Sequence, residues 1–255
     1  MDFDDFNKWA FKELGINLEA YKQEQLNRRI TSLMSRVGIK DLNEYKKALL
    51  SDEDQKQKFL DFITINVTEF FRNTELFKEL ESNIKKDLLP KNNKLKIWSA
   101  ACSIGCEPYS IAMIMQEISP TGKHSIIATD IDSTILKKAK EGVFGEADIK
   151  NVQKNILDKY FIKEDKKIIV NKNIRSMVTF KKHDLIVDKY EKDFDLIVCR
   201  NVVIYFKNDV KKVIFQRFNE SLKKGGLLFV GATESIYNYK EYGFEKVSTF
   251  IYKKV

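Results

Sequence analysis

From about residue 95 onward the chain alternates short apolar runs with amphipathic stretches, and that alternation leaves few architectures open. Leu95–Ala101 reads as a strand, and Pro108–Ile118 as a helix with proline in its first turn. Ser125–Asp130 is a second strand, followed by a helix near Ser133–Lys140. Asp195–Cys199, a helix from about Asp209 to Leu222, and Gly226–Val230 continue the pattern. Apolar strands separated by helices predict a parallel sheet covered on both faces. Phe244–Lys253 reads as two strands with a turn at Ser248, an antiparallel edge. One stretch breaks the alternation. Ile168–Val170 and Met177–Phe180 are strand candidates separated by the turn-rich Asn171-Lys172-Asn173. They form either a small antiparallel insert, at about 160–182, or one irregular strand with a long approach.

The first sixty-odd residues follow a different period. Leu26, Ile30, Leu33, Met34 and Val37 fall on one helical face, with Gly38 as a stop and Asp41 as the N-cap of the next helix. Residues 1–65 are therefore expected to form a small helical domain and linker, and residues 66–255 the α/β domain. Lys22, Arg28, Arg29, Arg36 and Lys40 face a single acid, Glu24, between residues 22 and 40. Lys22, Arg29 and Arg36 recur every seven residues, which keeps them together on the exposed side. Such a face is either plain solvated surface or a dock for an acidic partner.

Composition narrows the function classes. A hydrophobic content of 43% supplies a sizeable core, and a net charge of +8 favours an acidic partner without choosing among nucleic acid, membrane and protein. There is no secretory signal at the start and no run of roughly 20 apolar residues. Cys102, Cys106 and Cys199 form no CxxC pair and leave one over in any disulfide scheme, which suits packing thiols in a reducing cytoplasm. His124 and His183 are too few for a metal centre, and no G-x-S-x-G elbow is present. The loop after the first strand, Ala101–Pro108, carries only Gly105, so it is neither a dinucleotide fingerprint nor a phosphate-cradling loop. Asp130 ends the second strand where ribose-binding acids sit in nucleotide folds; Asp132 competes for that role, and either acid also suits a helix cap. An enzyme built this way uses a cofactor and needs little acid–base help.

Asn66–Arg72, Trp98–Ser110, Ala128–Asp132, Cys199–Phe206 and Gly225–Gly231 with Glu234 together resemble the CheR family of chemotaxis receptor methyltransferases, in the same order and over nearly the whole chain. Cys106 stands where a polar or acidic residue is expected. The resemblance implies a Rossmann-like class I S-adenosylmethionine-dependent methyltransferase fold with a small N-terminal all-α domain and a small antiparallel β insert. It implies that Asn66, Thr68 and Arg72 cover the cofactor, that Glu107 meets its methionine part and Asp130 its ribose. Asp184 and Leu185 would meet the adenine, Arg200 and Asn201 would wall the sulfonium, and Tyr205 would lie close to the methyl acceptor. The implied reaction turns receptor glutamates into γ-glutamyl methyl esters, leaves S-adenosylhomocysteine, and serves sensory adaptation without a metal.

The chemistry suits those residues. A glutamate carboxylate, with an ordinary pKa of about 4.3, is already ionised at neutral pH and needs no general base. The catalyst must align and desolvate it, which makes Arg72 and Tyr205 the catalytic candidates. Two rivals remain. An RNA methyltransferase fits the charge, but Arg200-Asn201-Val202-Val203 lacks the proline-containing turn of amino-group methylation, and no RNA module is recognisable. A non-catalytic cofactor-binding regulatory module is opposed by the intact Arg72 and Tyr205 motifs. The expected partner is the cytoplasmic helical domain of a chemotaxis receptor, docked through Lys22, Arg28, Arg29 and Arg36, with no nucleic acid and a monomeric enzyme. Some members of the family hold a receptor's C-terminal peptide as an added strand on the insert, after a longer glycine-containing loop. Here Tyr160–Lys167 is short, charged and without glycine, so no peptide tether is expected.

Overall fold

The computed structural model describes residues 1–64 and 68–255. Asn66 and the expected boundary at 65/66 lie outside the described residues. The chain divides into two compact units: a helical one that also takes in Tyr205–Lys212, and a larger one holding the rest.

The helical unit contains α1 (Phe3–Leu14), α2 (Gln23–Arg36), α3 (Leu42–Ser51) and α4 (Glu53–Thr64). Asp41 caps α3, accepting from the N–H groups of Asn43 and Glu44, as a residue with a short acceptor side chain does at that position. Leu26, Ile30, Leu33 and Met34 are buried, whereas Val37 lies beyond the last turn of α2 and is exposed. Phe6, Tyr45 and Phe59 pack ring against ring with centroids about 6 Å apart, one aromatic each from α1, α3 and α4. The returning segment is tied in through its backbone. Lys22 N–H donates to Tyr205 O and Lys207 N–H to Ala20 O, both at 2.9 Å, and the Tyr21 and Phe206 rings meet edge-on.

The second unit opens with α5 (Thr74–Asn83), then β1 (Lys96–Ala100), α6 (Cys106–Ile118), β2 (Ser125–Asp130) and α7 (Ser133–Glu141). The small elements β3 (Val143–Phe144), α8 (Lys154–Tyr160), β4 (Phe161–Glu164), β5 (Lys167–Val170) and α9 (Lys172–Ser176) follow. β6 (Val178–Lys182), β7 (Phe194–Cys199), α10 (Asn208–Ser221), β8 (Leu222–Val230), β9 (Phe244–Lys246) and β10 (Ile251–Lys254) complete the chain. The main sheet runs β6-β2-β1-β7-β8-β10-β9, with the first five strands parallel and β10 and β9 antiparallel at the far side. Ile97, Ile126, Val198, Leu227 and Phe229 belong to its core, together with Ile111 and Met113 of α6. From β1 the chain proceeds outward to β2 and β6, then crosses back to β7 on the other side of β1. The strand order therefore reverses between β1 and β7, where open α/β sheets form their ligand crevice.

A small antiparallel sheet is present, but its make-up differs from the expected insert at 160–182. Its order is β3-β5-β4, and β6 belongs instead to the main sheet, parallel to β2. The reason lies at Asn171, whose side chain accepts from Ile174 N–H and starts α9. The turn-rich run is a helix start that carries the chain from one sheet to the other, not a hairpin. Likewise Tyr160–Lys167 is no approach loop: it ends α8, forms β4, turns tightly at Asp165 (φ 50°) and enters β5.

Candidate active site

The crevice begins where β1 ends. Ala101, Ser103 and Gly105 all adopt positive φ, and the chain turns sharply into α6. At Gly105 the φ of 93° disfavours any side chain, and a Cβ would crowd Ala139, Tyr109 and Phe180 at 3.2–3.3 Å, so this turn favours glycine. The turn is fastened to β2. Cys102 N–H donates to Thr129 O, and Ser103 N–H donates to Asp130 Oδ2 at 2.8 Å. Asp132 N–H reaches Asp130 Oδ1 at 3.1 Å. Burial pushes the Asp130 carboxyl above its ordinary range, and these N–H donors oppose the rise. Asp132 caps α7, accepting from Thr134 and Ile135 N–H. Of the two acids weighed from the sequence, Asp130 faces the turn and Asp132 serves a helix.

Glu107, in the first turn of α6, accepts from Ser99 Oγ at 2.7 Å, and its Oε2 lies 3.8 Å from Arg200 Nη1. Burial pushes this carboxyl up to about 7, against the pull of the Arg200 guanidinium. Arg200, at the end of β7, packs over the touching rings of Phe77 and Phe229, 5.1 and 4.9 Å from their centroids. Its Nη2 donates to Arg72 O at 2.9 Å and to Asn73 Oδ1 at 3.0 Å. The Arg72 charge acts on Glu69, Glu107 and Arg200, which puts Arg72 in the same electrostatic cluster. Its segment is held by Phe70 N–H on Asp148 O and Phe71 N–H on Ser110 Oγ. Thr68 hydrogen-bonds the Cys106 thiol, which is wholly buried in the core cluster. Cys106 thus packs where a polar residue was expected, and all three cysteines are buried free thiols.

The turn after β6 carries Asp184 and Leu185. Asp184 Oδ1 accepts from Ile186 N–H, and Asp184 N–H donates to Asp188 Oδ2. Tyr190 Oη donates to Leu185 O and Arg217 Nη1 to Ile186 O, each at 2.7 Å. Both side chains of the pair are nearly buried.

Ser103 Oγ, Asp184 Oδ2 and Arg200 Nε are buried and have no partner among the described residues. Buried polar groups are hydrogen-bonded almost without exception. Ser103 Oγ can donate or accept, Asp184 Oδ2 accepts and Arg200 Nε donates, so a ligand carrying both donors and acceptors along this rim would satisfy all three, as a nucleoside joined to an amino acid does. The residues fit such a group. Among the described residues no cluster of His, Cys, Asp or Glu suits a metal ion, and no helix is long and apolar enough to cross a membrane.

The rim of the second unit therefore brings together Arg72, Glu107, Asp130, Asp184, Leu185, Arg200 and Asn201, with Thr68 behind them. Tyr205 and the basic residues belong to the helical unit. There the basic set divides. Lys22, Arg28 and Arg36 are exposed, while Arg29 is half-buried, donates to Phe62 O and lies 4.3 Å from the centre of that ring. Glu234 is part of the family pattern without a role, and Tyr190 and Arg217 are not singled out from the residues. A carboxylate four residues past an apolar strand is the visible signal for the first; nothing in the local pattern marks the other two.

Comparison with known proteins follows the same division. The family model for the CheR methyltransferase SAM binding domain matches residues 66–252, and that for the CheR methyltransferase all-alpha domain matches residues 1–64. A chemotaxis protein methyltransferase of Listeria monocytogenes is 38% identical over 250 residues, covering 98% of this chain and 95% of that protein. One from Borreliella burgdorferi is 36% identical over 97% of this chain and 92% of its own length. The Escherichia coli chemotaxis protein methyltransferase is 32% identical over 88% of this chain and 81% of its own.

Proposed function

The chain belongs to the CheR methyltransferase family, and from that premise we propose that it methylates glutamate side chains in the cytoplasmic helical domain of chemotaxis receptors, forming γ-glutamyl methyl esters for sensory adaptation. What supports this most is the convergence of Asp130, Glu107, Arg200 and Asp184 on one rim that carries three unpartnered buried polar atoms, in a stretch matching a SAM binding domain. Bound there, S-adenosylmethionine supplies an electrophilic methyl group on a positively charged sulfur.

Asp184 and Leu185 hold the adenine in this reading, Asp130 the ribose hydroxyls and Glu107 the methionine ammonium. Arg200 and Asn201 wall the reacting end, and Asn66, Thr68 and Arg72 cover it. The acceptor carboxylate arrives ionised, so no residue has to remove a proton. Arg72 steers that carboxylate and the Tyr205 hydroxyl fixes one of its oxygens, with water displaced from the anion. Lys22, Arg28 and Arg36 supply the positive face for an acidic helical receptor. The enzyme acts as a cytoplasmic monomer, with no nucleic acid and no peptide tether.

Mass spectrometry of receptor cytoplasmic fragments after incubation with the protein and S-adenosylmethionine tests this directly. Methyl-ester increments on glutamate are expected. Cofactor binding without any transfer to receptor fragments would favour the regulatory module, and methyl transfer to RNA would replace the protein substrate.

A further inference from the structure

Glu234 is nearly buried, in the turn just after β8, yet no described cation pairs with it at short range. Its partners are backbone N–H groups instead. Oε2 accepts from Asn201 at 2.5 Å and from Gly231 at 2.9 Å, and Oε1 accepts from Val202 at 2.9 Å. The Ile204 N–H also favours its charged form. We propose that Glu234 is the positioning residue of the turn carrying Arg200 and Asn201, a carboxylate clamp that fixes where β7 delivers both side chains.

β7 and β8 are neighbouring parallel strands, with Cys199 opposite Val230. Past those two residues the sheet ladder stops, and the N–H groups of residues 201–204 need other acceptors. Asn201 takes a left-handed conformation (φ 61°), which turns its N–H away from the strand direction and towards the neighbouring loop. An ionised carboxylate is acceptor-only and takes several N–H groups at once; an amide or a protonated acid would set a donor against a donor. Burial raises the Glu234 pKa, and the backbone donors oppose it.

Gly231 belongs to the same device. A Cβ there would stand 2.4 Å from Glu234 Oε2 and 3.0 Å from Asn201 N, so any other residue pushes the clamp open. Glu234 N–H closes the turn on Gly231 O at 2.9 Å. Gly231-Ala232-Thr233-Glu234 therefore forms a receptacle, and the N–H groups after β7 form what it holds.

The kinetic half of this inference rests on the proposed methyl transfer; the structural half does not. Hydrogen exchange on the full chain reads the clamp without any substrate. Glu234→Gln and Gly231→Ala should each speed exchange at amides 201–204 roughly tenfold or more, the scale of losing a charge-assisted hydrogen bond. In receptor methylation both variants should lower kcat roughly tenfold while leaving the receptor KM within about twofold. Glu234→Asp, which keeps the charge on a shorter arm, should fall between. The double variant should be no slower than the slower single one, because both break one device. Unchanged exchange at 201–204, or kcat losses that multiply in the double variant, would overturn the proposal. A wild-type protein that methylates no receptor fragment would defeat the proposed function while exchange still decided the clamp.

Discussion

Arg200 Nη1 stands 3.8 Å from Glu107 Oε2, with 2% of the arginine side chain and 12% of the glutamate side chain exposed. A buried pair at that separation repays little of its own desolvation. The Glu107 carboxyl accordingly remains raised to about 7 from its ordinary 4.5. An arrangement so poorly compensated is better suited to receiving a charged ligand than to holding the fold together.

That relationship has a proton count. If Glu107 meets the ligand's ammonium, binding S-adenosylhomocysteine lowers its pKa from about 7 and releases a fraction of a proton near neutral pH. The calorimetric enthalpy should then depend on the ionisation heat of the buffer, and Glu107→Gln should abolish that dependence. The same shift acts on stability. The folded state holds this proton more tightly than the unfolded chain, so its contribution is fully present below about 4.5 and is lost as pH rises through about 7. Glu107→Gln should flatten that part of the melting-temperature profile. A buffer-independent binding enthalpy would remove Glu107 from the ammonium site.

The sequence made the parallel sheet readable because apolar strands and helices differ in period, and β2 appears at the limits read from its residues alone. The rim residues were readable as a family pattern, although a pattern does not say what each residue touches. Asp130 and Asp132 have the same chemistry and differ only in direction, which becomes visible once Ser103 N–H is seen on one and the N-terminus of α7 on the other. Asn171 misled because the same side chain starts both turns and helices. Arg29 read as surface because helical spacing cannot foresee a carbonyl offered by α4.

Asp130 allows a controlled test. Asp130→Ala should weaken S-adenosylhomocysteine by roughly ten- to a hundredfold, the scale of lost charge-assisted hydrogen bonds. Asp132→Ala removes a cap and should lower stability by about 1 kcal/mol with affinity nearly unchanged. Equal affinity in wild type and Asp130→Ala, measured by calorimetry, would make the ribose assignment wrong.

Binding and chemistry should separate at Tyr205. Tyr205→Phe keeps the ring and the backbone pairing of its carbonyl with Lys22 N–H, so cofactor affinity should hold while single-turnover rates drop by roughly tenfold. Arg72→Ala should lower both. A Tyr205→Phe enzyme with normal turnover would take the hydroxyl out of the reaction.

The basic face should divide in the same way as its geometry. Arg28 is exposed, so Arg28→Glu should raise the receptor KM, most at low salt, where screening is weak. Arg29 is anchored on Phe62, so Arg29→Glu should also lower the melting temperature of the helical unit. A receptor KM indifferent to Arg28→Glu at every ionic strength would leave this face as plain solvated surface.

The proposal that no peptide tether is used rests on a strand rather than a loop. β4 is an outer strand of its three-stranded sheet, so one side of its backbone pairs with no strand among the described residues. Against an added strand are Lys163 and Glu164, both exposed on β4, and the tight turn through Asp165 that joins it to β5. Charged side chains and short length are the usual guards of an edge. Strand addition takes its affinity from main-chain hydrogen bonds and its specificity from pockets for alternate side chains. β4 is four residues long, which limits the first contribution. A receptor-tail peptide should therefore give no saturable heat in calorimetry, and deleting the tail from a cognate receptor should leave its methylation rate unchanged. Micromolar binding of the peptide, lost when a proline at position 163 removes an outward-facing N–H of β4, would show instead that two charges and a short strand do not close this edge.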